Sequence, residues 1–367
     1  MTEAALQQYI QAIRPAARAA MDAARKRQAE LAKPPGSLGA LEDMSIRLAG
    51  ITGQVCPKMG KCRVAVFAAD NGVVDEGVSC APRSVTLQQA INMTRHRTGM
   101  SAMAAAFGDD VAVVDVGIAA DVPGVGILDR KVRRGTGNIA VEDAMTRPEA
   151  LAAMAAGMEQ AARARADSIT ALGIGEMGIG NTSTSAAVLS ALTGADIEAV
   201  TGRGGGLTNE GFARKKDVLR RALTRRAVDK DDVLDVLCAV GGLDIAAMTG
   251  AFLGCARERI PAAVDGFISV VAALCAVTLC PEVRDYLFLS HDSYEVGYRL
   301  AEDRLGLEPC LHLGMRLGEG SGCPLLFRVL EGACGVMAGM ATFAQAAIQD
   351  DYLDEIRAGD SFTVDKP

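Results

Sequence analysis

The sequence has 367 residues, of which 50% are hydrophobic and 23% are charged, and its formal net charge is −7. This length is typical of about two domains, and the apolar content suffices for a sizeable buried core. The negative charge argues against a nucleic-acid-binding surface, which requires a basic face. The N-terminus lacks the order of a signal peptide, and the ten cysteines form no CxxC pair. We therefore expect a cytoplasmic protein with reduced thiols.

The first half of the chain predicts alternating strands and helices. Residues 1–30, rich in Ala, Gln and Arg, predict a helix that the two prolines of 33–43 end. Apolar, β-prone runs at 61–70 and 109–118 predict buried strands that open into polar loops. Residues 168–194 repeat the pattern, because a strand ends in glycines and a helix follows. This alternation indicates a parallel α/β sheet, in which ligands bind beyond the carboxyl ends of the strands.

The second half of the chain predicts mostly helices. Residues 211–256 alternate charged and apolar faces, with a pair of glycines as a break. The most apolar stretch, 262–280, predicts a buried core helix, since its uninterrupted apolar part is shorter than the roughly 18 residues of a membrane span. Residues 284–298 predict another strand–loop–helix step, and 325–348 predict a final helix. Because no linker is visible, we expect any second domain to form from the two chain ends.

Two glycine-rich segments are candidates for anion binding. In 175–187 a Gly-rich loop opens a helix, and the backbone N–H groups of such a loop can hold a phosphate. The alternative is an N-cap cluster with a tight turn. Residues 201–211 contain three successive glycines, which favour either the close approach of a phosphate or ribose, or a flexible loop. Lys215 follows, either as a point charge for a phosphate or as a surface lysine.

Three further positions carry candidate chemistry. Asp265, at the mouth of the apolar stretch, predicts either a helix N-cap or a polar group that faces the same cavity. Residues 290–293 contain Ser, His and Asp, but a hydrolase triad is disfavoured because no GxSxG elbow precedes them. Glu319 lies between two glycines and beside apolar Leu317. Partial desolvation would raise its pKa and make it a better base near neutral pH, whereas the alternative is a turn residue in water.

Seven segments, taken in order, resemble the nicotinate-nucleotide–dimethylbenzimidazole phosphoribosyltransferases of cobamide (vitamin B12) assembly. These segments are "KPPGSLGALE" (33–42), "AADNGVVDEGVS" (68–79), "GEMGIGNTSTSAA" (175–187), "GGLDIAAMTGA" (241–251), "VDGFIS" (264–269), "SHDSYEVGY" (290–298) and "GMRLGEGSG" (314–322). They cover nearly the whole chain, and it is their joint order that is specific, since no single segment decides the matter.

The resemblance implies a fold, an assembly and a reaction. It implies an α/β domain at 60–310 with a Rossmann-like parallel sheet flanked by helices. It also implies a smaller helical domain, made of 1–59 plus 311–367, that completes the active site, and a homodimer. The implied reaction moves the phosphoribosyl group of nicotinate mononucleotide to a base such as 5,6-dimethylbenzimidazole, giving α-ribazole phosphate and nicotinate. No cofactor, metal, nucleic acid or membrane partner is implied.

The resemblance also assigns roles to individual residues. Glu319 matches the general base, and Glu176 is a second acidic group of the site. The residues implied to hold phosphate and ribose are Gly178, Ile179, Gly180, Asn181, Thr182, Gly204, Gly205, Gly206, Lys215, Asp265, Gly266, Ser290 and Ser293. The residues implied to surround the base are Ser79, Cys80, Gln88, Met177 and Leu317.

The sequence departs from the family pattern at two places. The family usually has Asp-His-Gly where this chain has Asp70, Asn71 and Gly72, and it often has an aromatic residue near Cys80. Smaller side chains there predict a reshaped base pocket and a preference for another benzimidazole, a purine or a phenol. Transfer from a diphosphate donor is disfavoured, because the acidic pair before a Gly/Thr loop is missing. A non-catalytic nucleotide-binding protein is the remaining alternative, but it would not need Glu319.

Overall fold

The computed structural model describes residues 1–124 and 126–353. The chain divides into two compact units. Residues 1–14 and 61–326 form the unit that contains the sheet, and residues 15–60 and those from 327 onward form a second unit, whose described part is mainly helical. The predicted small domain started its second segment at 311, whereas residues 311–326, with Glu319, belong to the sheet unit.

Six parallel strands form the sheet in the order β3-β2-β1-β4-β5-β6. The strands are β1 (Cys62–Ala69), β2 (Asp110–Gly117), β3 (Leu128–Asp129), β4 (Ala171–Met177), β5 (Ala262–Val264) and β6 (Leu287–Leu289). This is the strand order of the Rossmann fold, so the predicted fold class is confirmed. The order reverses between β1 and β4, and the crevice at such a reversal is where ligands bind in open α/β sheets.

Helices flank the sheet and make up the described part of the second unit. The α-helices are α1 (Glu3–Gln11), α2 (Arg18–Glu30), α3 (Ala40–Thr52), α4 (Ser84–Thr94), α5 (Gly99–Phe107), α6 (Arg147–Ala166), α7 (Asn181–Thr193), α8 (Ile197–Val200), α9 (Asn209–Thr224), α10 (Val233–Val240), α11 (Leu243–Glu258), α12 (Phe267–Leu279), α13 (Tyr298–Leu305), α14 (Cys323–Gly339) and α15 (Phe343–Ala346). Short 3-10 helices cover Gly72–Glu76, Pro281–Tyr286 and Asp351–Leu353. None of the helices in the described ranges combines the length and apolarity needed to cross a bilayer.

Glycines let α6 and α11 pack backbone against backbone. A methyl group added at Gly157 would lie 1.8 Å from the carbonyl oxygen of Ala247, and one at Gly250 would lie 2.0 Å from that of Met154. Both distances are far below van der Waals contact, so the two helices approach this closely only because these positions lack a side chain. Small residues in the core therefore allow these two helices to pack closely.

Three predicted helices differ from the observed ones. The helix predicted at 1–30 is divided into α1 and α2 at Pro15, which lacks an N–H and disfavours a helical residue before it. The start of 262–280 forms β5, which pairs with β4 and β6, since a short apolar run does not by itself distinguish a buried strand from a helix. The final helix ends at Gly339 instead of 348, and the residues after it start a new short helix.

Candidate active site

A cavity of about 260 Å³ opens at the carboxyl ends of β4, β5 and β6. Many predicted site residues line it, although they come from distant parts of the chain. These residues are Ser79, Cys80, Glu176, Met177, Gly178, Ile179, Gly180, Asn181, Thr182, Gly204, Gly205, Asp265, Gly266, Ser293, Leu317 and Glu319. The parallel sheet brings them together because each follows, or packs against, the end of a strand.

Four predicted residues have other positions. Lys215 and Ser290 are fully buried and lie behind residues of the lining, as described below. Gly206 follows the two lining glycines of its loop without being part of the lining. Gln88 is exposed, whereas its neighbour Gln89 lines the cavity. Gln89 shares one face of α4 with Val85, one helical turn earlier, and that face points to the cavity.

The glycines around Glu319 allow a tight loop that packs directly on the sheet. Gly318, Glu319 and Gly320 have φ angles of +81°, +64° and +84°, so three successive residues adopt left-handed backbone conformations. For Glu319 this conformation is strained, since only residues without a Cβ adopt it freely. Below the loop, a methyl group at Gly175 of β4 would lie 2.7 Å from the carbonyl oxygen of Glu319. A glycine in the strand is therefore required for the loop to reach this position.

The Glu319 side chain is 5% exposed and has polar partners on both oxygens. Its Oε2 accepts from the backbone N–H of Met100 at 3.3 Å, in the first turn of α5, and its Oε1 accepts from Gln89 Nε2 at 3.5 Å. Burial raises the pKa of Glu319, the negative charge of Asp265 raises it further, and the hydrogen bonds from Thr98 and Met100 lower it. The net upward direction makes Glu319 a stronger base than an exposed glutamate.

Two buried carboxyl groups share one amide beside Glu319. Asn181 Nδ2 donates both to Glu176 and to Asp244 Oδ2, the latter at 3.1 Å. Glu176 Oε1 in turn accepts from the backbone N–H of Glu319 at 3.3 Å. Burial raises the pKa of Glu176 to about 8, with a further contribution from the charge of Asp244, and burial raises that of Asp244 to about 6. The cluster therefore favours the entry of positive charge.

Next to this cluster, two helix N-termini form a place where an anion can bind. The loop from Gly178 leads into the N-terminus of α7, and Gly266 is the N-cap of α12, so the positive ends of two long helix dipoles lie at the cavity. Lys215 lies underneath, where its Nζ donates to Thr182 Oγ1 at 2.9 Å and to the carbonyl oxygen of Gly202 at 3.1 Å. An ammonium group has three donors, and these two bonds use two of them.

Asp265 is engaged with the protein itself. Its Oδ1 accepts from the backbone N–H of Gly322 at 2.7 Å, and its Oδ2 accepts from that of Gly320 at 3.1 Å. The N-cap of α12 is Gly266, without a side-chain cap. Of the two alternatives from sequence, the cap is thus not observed, and the carboxylate is directed to the loop of Glu319.

Comparisons with known proteins show the family of the chain. A family model described as phosphoribosyltransferase matches residues 13–348. A nicotinate-nucleotide–dimethylbenzimidazole phosphoribosyltransferase of Clostridium perfringens (strain 13 / Type A) is 47% identical over 341 residues, which cover 93% of this chain and 94% of the relative. The chain belongs to this enzyme family. A relative with the same name from Geobacter metallireducens is 44% identical over 338 residues, 92% of this chain and 96% of its own length.

A solved structure supports the family membership. The crystal structure of CobT from Thermus thermophilus matches with a TM-score of 0.87 and 42% sequence identity, and the match covers 90% of this chain and 99% of that chain. The family resemblance inferred from the seven segments is therefore confirmed.

Several residues in or beside this cavity were not predicted from sequence. Asp244 lies in one of the seven segments, and His291 lies between two predicted serines, yet neither had a role assigned. His291 lines the cavity, and its Nδ1 lies 3.0 Å from Ser290 Oγ. Met100 contributes only its backbone N–H, which no sequence pattern reveals. For Gln89, the helical spacing from Val85 and Thr86 was the available signal.

Proposed function

We propose that this protein transfers the phosphoribosyl group of nicotinate mononucleotide to a benzimidazole nitrogen, giving an α-ribazole phosphate and nicotinate in cobamide assembly. The observation that carries this proposal is the position of Glu319. Its buried carboxyl group, with a raised pKa, lines the same cavity as two helix N-termini above a buried lysine. A base and an anion-binding site in one cavity are what the transfer of a phosphorylated sugar to an N–H acceptor requires.

The donor needs little help to release its leaving group. Nicotinate is bound to the ribose as a pyridinium, so it departs as a neutral ring nitrogen without protonation. The enzyme's part is to hold the sugar phosphate, with the N-termini of α7 and α12 and the ammonium of Lys215 as the anion partners. The transition state is oxocarbenium-like by analogy with other glycosyl transfers. Its positive charge favours the ionised form of the Glu176 and Asp244 carboxyl groups, which in turn stabilise it.

The acceptor must lose a proton. One ring nitrogen of the benzimidazole attacks the anomeric carbon, and the N–H proton of the other nitrogen passes to Glu319. Attack on the face opposite to nicotinate converts the β-nucleotide into an α-product. This inversion follows from a single displacement without a covalent sugar–enzyme intermediate. Met177 and Leu317 provide apolar surface for the flat base, and Leu317 is 56% exposed at the rim.

The test is a base-dependent transfer assay. The purified protein is incubated with nicotinate mononucleotide and a panel of benzimidazoles, adenine and phenols, and nicotinate and the ribotide products are identified by chromatography and mass spectrometry. We expect nicotinate release only when an acceptor is present. A folded protein that binds the nucleotide but releases no nicotinate with any acceptor would refute the transferase and support the non-catalytic alternative.

The same panel tests the choice of base. Cys80 lines the cavity, next to Gly205, whereas Asn71 is fully buried and donates to the carbonyl oxygen of Ile179 at 3.5 Å. Of the two departures from the family pattern, Cys80 is therefore the one that would reshape the base pocket. A strong preference for 5,6-dimethylbenzimidazole in direct competition would contradict a changed specificity. The homodimer stays a prediction, which sedimentation equilibrium would test.

A further inference from the structure

One carboxylate joins the loop of Glu319 to the sheet. Asp265 follows β5 directly, and its two oxygens accept the N–H groups of Gly320 and Gly322, at 3.1 and 2.7 Å. These two residues lie on the C-terminal side of Glu319, within three positions of it. A carboxylate that accepts a backbone N–H on each oxygen fixes the direction of both peptide planes. The position of Glu319 therefore depends on a residue more than fifty positions away in sequence.

Asp265 is itself held rigidly. Its backbone N–H donates to Ser269 Oγ at 3.2 Å, and that hydroxyl donates to the carbonyl oxygen of Ile174 in β4 at 2.9 Å. Asp265 is buried, with 2% of its surface exposed. Because it is anchored to two adjacent strands, its carboxylate is a fixed reference point for the loop.

The loop needs such an anchor because its conformation is unfavourable by itself. Glu319 has a φ of +64°, and a non-glycine residue in this region persists only when its surroundings determine it. A loop with three glycines also has many alternative conformations. Without the two hydrogen bonds that Gly320 and Gly322 donate to Asp265, we expect the backbone at 318–322 to relax and the carboxylate of Glu319 to lose its alignment.

His291 packs against the same carboxylate. Its Nδ1 lies 3.8 Å from Asp265 Oδ1 and 3.0 Å from Ser290 Oγ, and the imidazole has no exposed surface. A methyl group at Gly322 would lie 2.4 Å from this Nδ1. The imidazole thus closes the space behind both the loop and its anchor.

We propose that Asp265 is a positioning residue for Glu319 and that His291 is its buried support, acting through Nδ1. This inference rests on the proposed role of Glu319 as general base. It differs from the role implied by the family resemblance, in which Asp265 contacts the phosphate or ribose. In this proposal the Asp265 carboxylate positions the general base Glu319, and it is Glu319 that contacts the substrate.

The charged and titratable groups that face Asp265 come from several elements. Besides His291, they are Glu176 of β4, Glu319 of the loop, Tyr298 of α13 and Cys323 of α14. The negative charge of Asp265 raises the pKa of Glu319. Removing that charge lowers the pKa of Glu319, so the acidic limb of the pH–rate profile moves to lower pH. A purely structural residue would not move this limb.

The first experiment compares Asp265→Asn with Asp115→Asn in the full-length protein. Asp115 is a matched control, because it is buried and its Oδ1 accepts the N–H groups of Gly117 and Ile118 at 3.1 and 2.8 Å. We expect Asp265→Asn to lower kcat about 10- to 100-fold, the range for a misplaced catalytic group, with little change in KM for nicotinate mononucleotide. Asp115→Asn should keep kcat and the pH profile of the wild type.

Hydrogen–deuterium exchange measures the mobility of the loop backbone independently of enzymatic activity. Asp265→Asn should speed the exchange of the Gly320 and Gly322 amides, and Asp115→Asn should not. This measurement separates the positioning role of Asp265 from the proposed transferase function. If the wild type shows no transfer, the proposed function fails. Faster loop exchange in Asp265→Asn would still support the positioning role. Unchanged exchange together with an unchanged kcat in Asp265→Asn would overturn the positioning role.

A pair of substitutions tests His291. His291→Asn retains a polar group near the position of Nδ1, and His291→Gln retains one near the position of Nε2, which is buried without a hydrogen-bond partner among the described residues. We expect the Asn variant to retain most of kcat and the slow loop exchange, and the Gln variant to lose both. The reverse result, with a raised KM for the nucleotide in the Asn variant, would mean that Nε2 contacts the ligand and would refute the supporting role.

Discussion

We expect Lys215 to lower the free energy of unfolding of the unliganded protein and to raise the affinity for the nucleotide. Its side chain has no exposed surface, and its neighbours within hydrogen-bond distance are one hydroxyl and one carbonyl oxygen. Among the described residues, the carboxylate whose charge acts on Lys215 is that of Glu295. An ammonium group buried with so little compensating charge is unfavourable, and a bound phosphate would supply further negative charge.

The size of this effect follows from the pKa. Burial lowers the pKa of Lys215 from 10.5 to about 8, although the charge of Glu295 opposes the shift. The difference of roughly 2.5 units corresponds to about 3 kcal/mol at 1.36 kcal/mol per unit. The folded pKa is the lower one, so the destabilisation is fully present below pH 8. It diminishes as the pH rises from 8 to 10.5, because the folded state has then lost a proton that the unfolded state still binds.

The substitution Lys215→Met removes the charge and keeps most of the volume. We expect the free energy of unfolding of the wild type, relative to this variant, to rise by about 3 kcal/mol between pH 7 and pH 10.5. Nicotinate mononucleotide should bind the variant roughly 10- to 100-fold more weakly, because a charge-assisted hydrogen bond contributes about 1.5–3 kcal/mol. Urea unfolding across this pH range and calorimetric titration with the nucleotide measure the two effects.

Lys216→Met is the matched control. Lys216 is the next residue, its Nζ lies 2.5 Å from Glu198 Oε2, and its side chain reaches the surface. This variant should bind the nucleotide like the wild type. If Lys215→Met bound the nucleotide normally, or if its stability ran parallel to that of the wild type across the pH range, the account of Lys215 as a buried phosphate partner would be wrong.

Two further substitutions test the base and its loop. Glu319→Gln should lower kcat by about 10²–10⁴, the usual contribution of a general base, with unchanged calorimetric affinity for the nucleotide. Its control, Glu159→Gln, lies at a partly exposed salt bridge with Arg130 and should leave the rate unchanged. Equal rates for the wild type and both variants would refute the mechanism. Gly175→Ala places a methyl group 2.7 Å from the carbonyl oxygen of Glu319, so we expect a lower kcat and a loss of about 1–3 kcal/mol in stability. The control is Gly332→Ala, at an open helical position, which should raise stability by up to about 1 kcal/mol without changing kcat. A fully active Gly175→Ala variant would show that the loop tolerates displacement.

The sequence alone predicted the elements whose signal is local. The apolar runs at 61–70 and 109–118 form β1 and β2, and the glycines at 175–180 lead from β4 into α7. Buried parallel strands are continuous apolar runs, and the glycine-rich turns after them are equally visible, so these features need no tertiary information. The carboxylate between glycines at 319 was also evident. Its burial was only one of two alternatives, because burial depends on what packs above the loop.

The tertiary structure decided every feature that depends on distant contacts. The three residues of β5 form a strand because they pair with β4 and β6, although their sequence also suits a helix. Lys215 is buried since Thr182 and Gly202 lie around its ammonium group, whereas its sequence neighbours suggested a charged surface. Asp265 binds the loop of Glu319 from a different strand end. Hydrogen bonds between segments this far apart leave no periodicity in the sequence, and they form only when the parallel sheet aligns the ends of its strands.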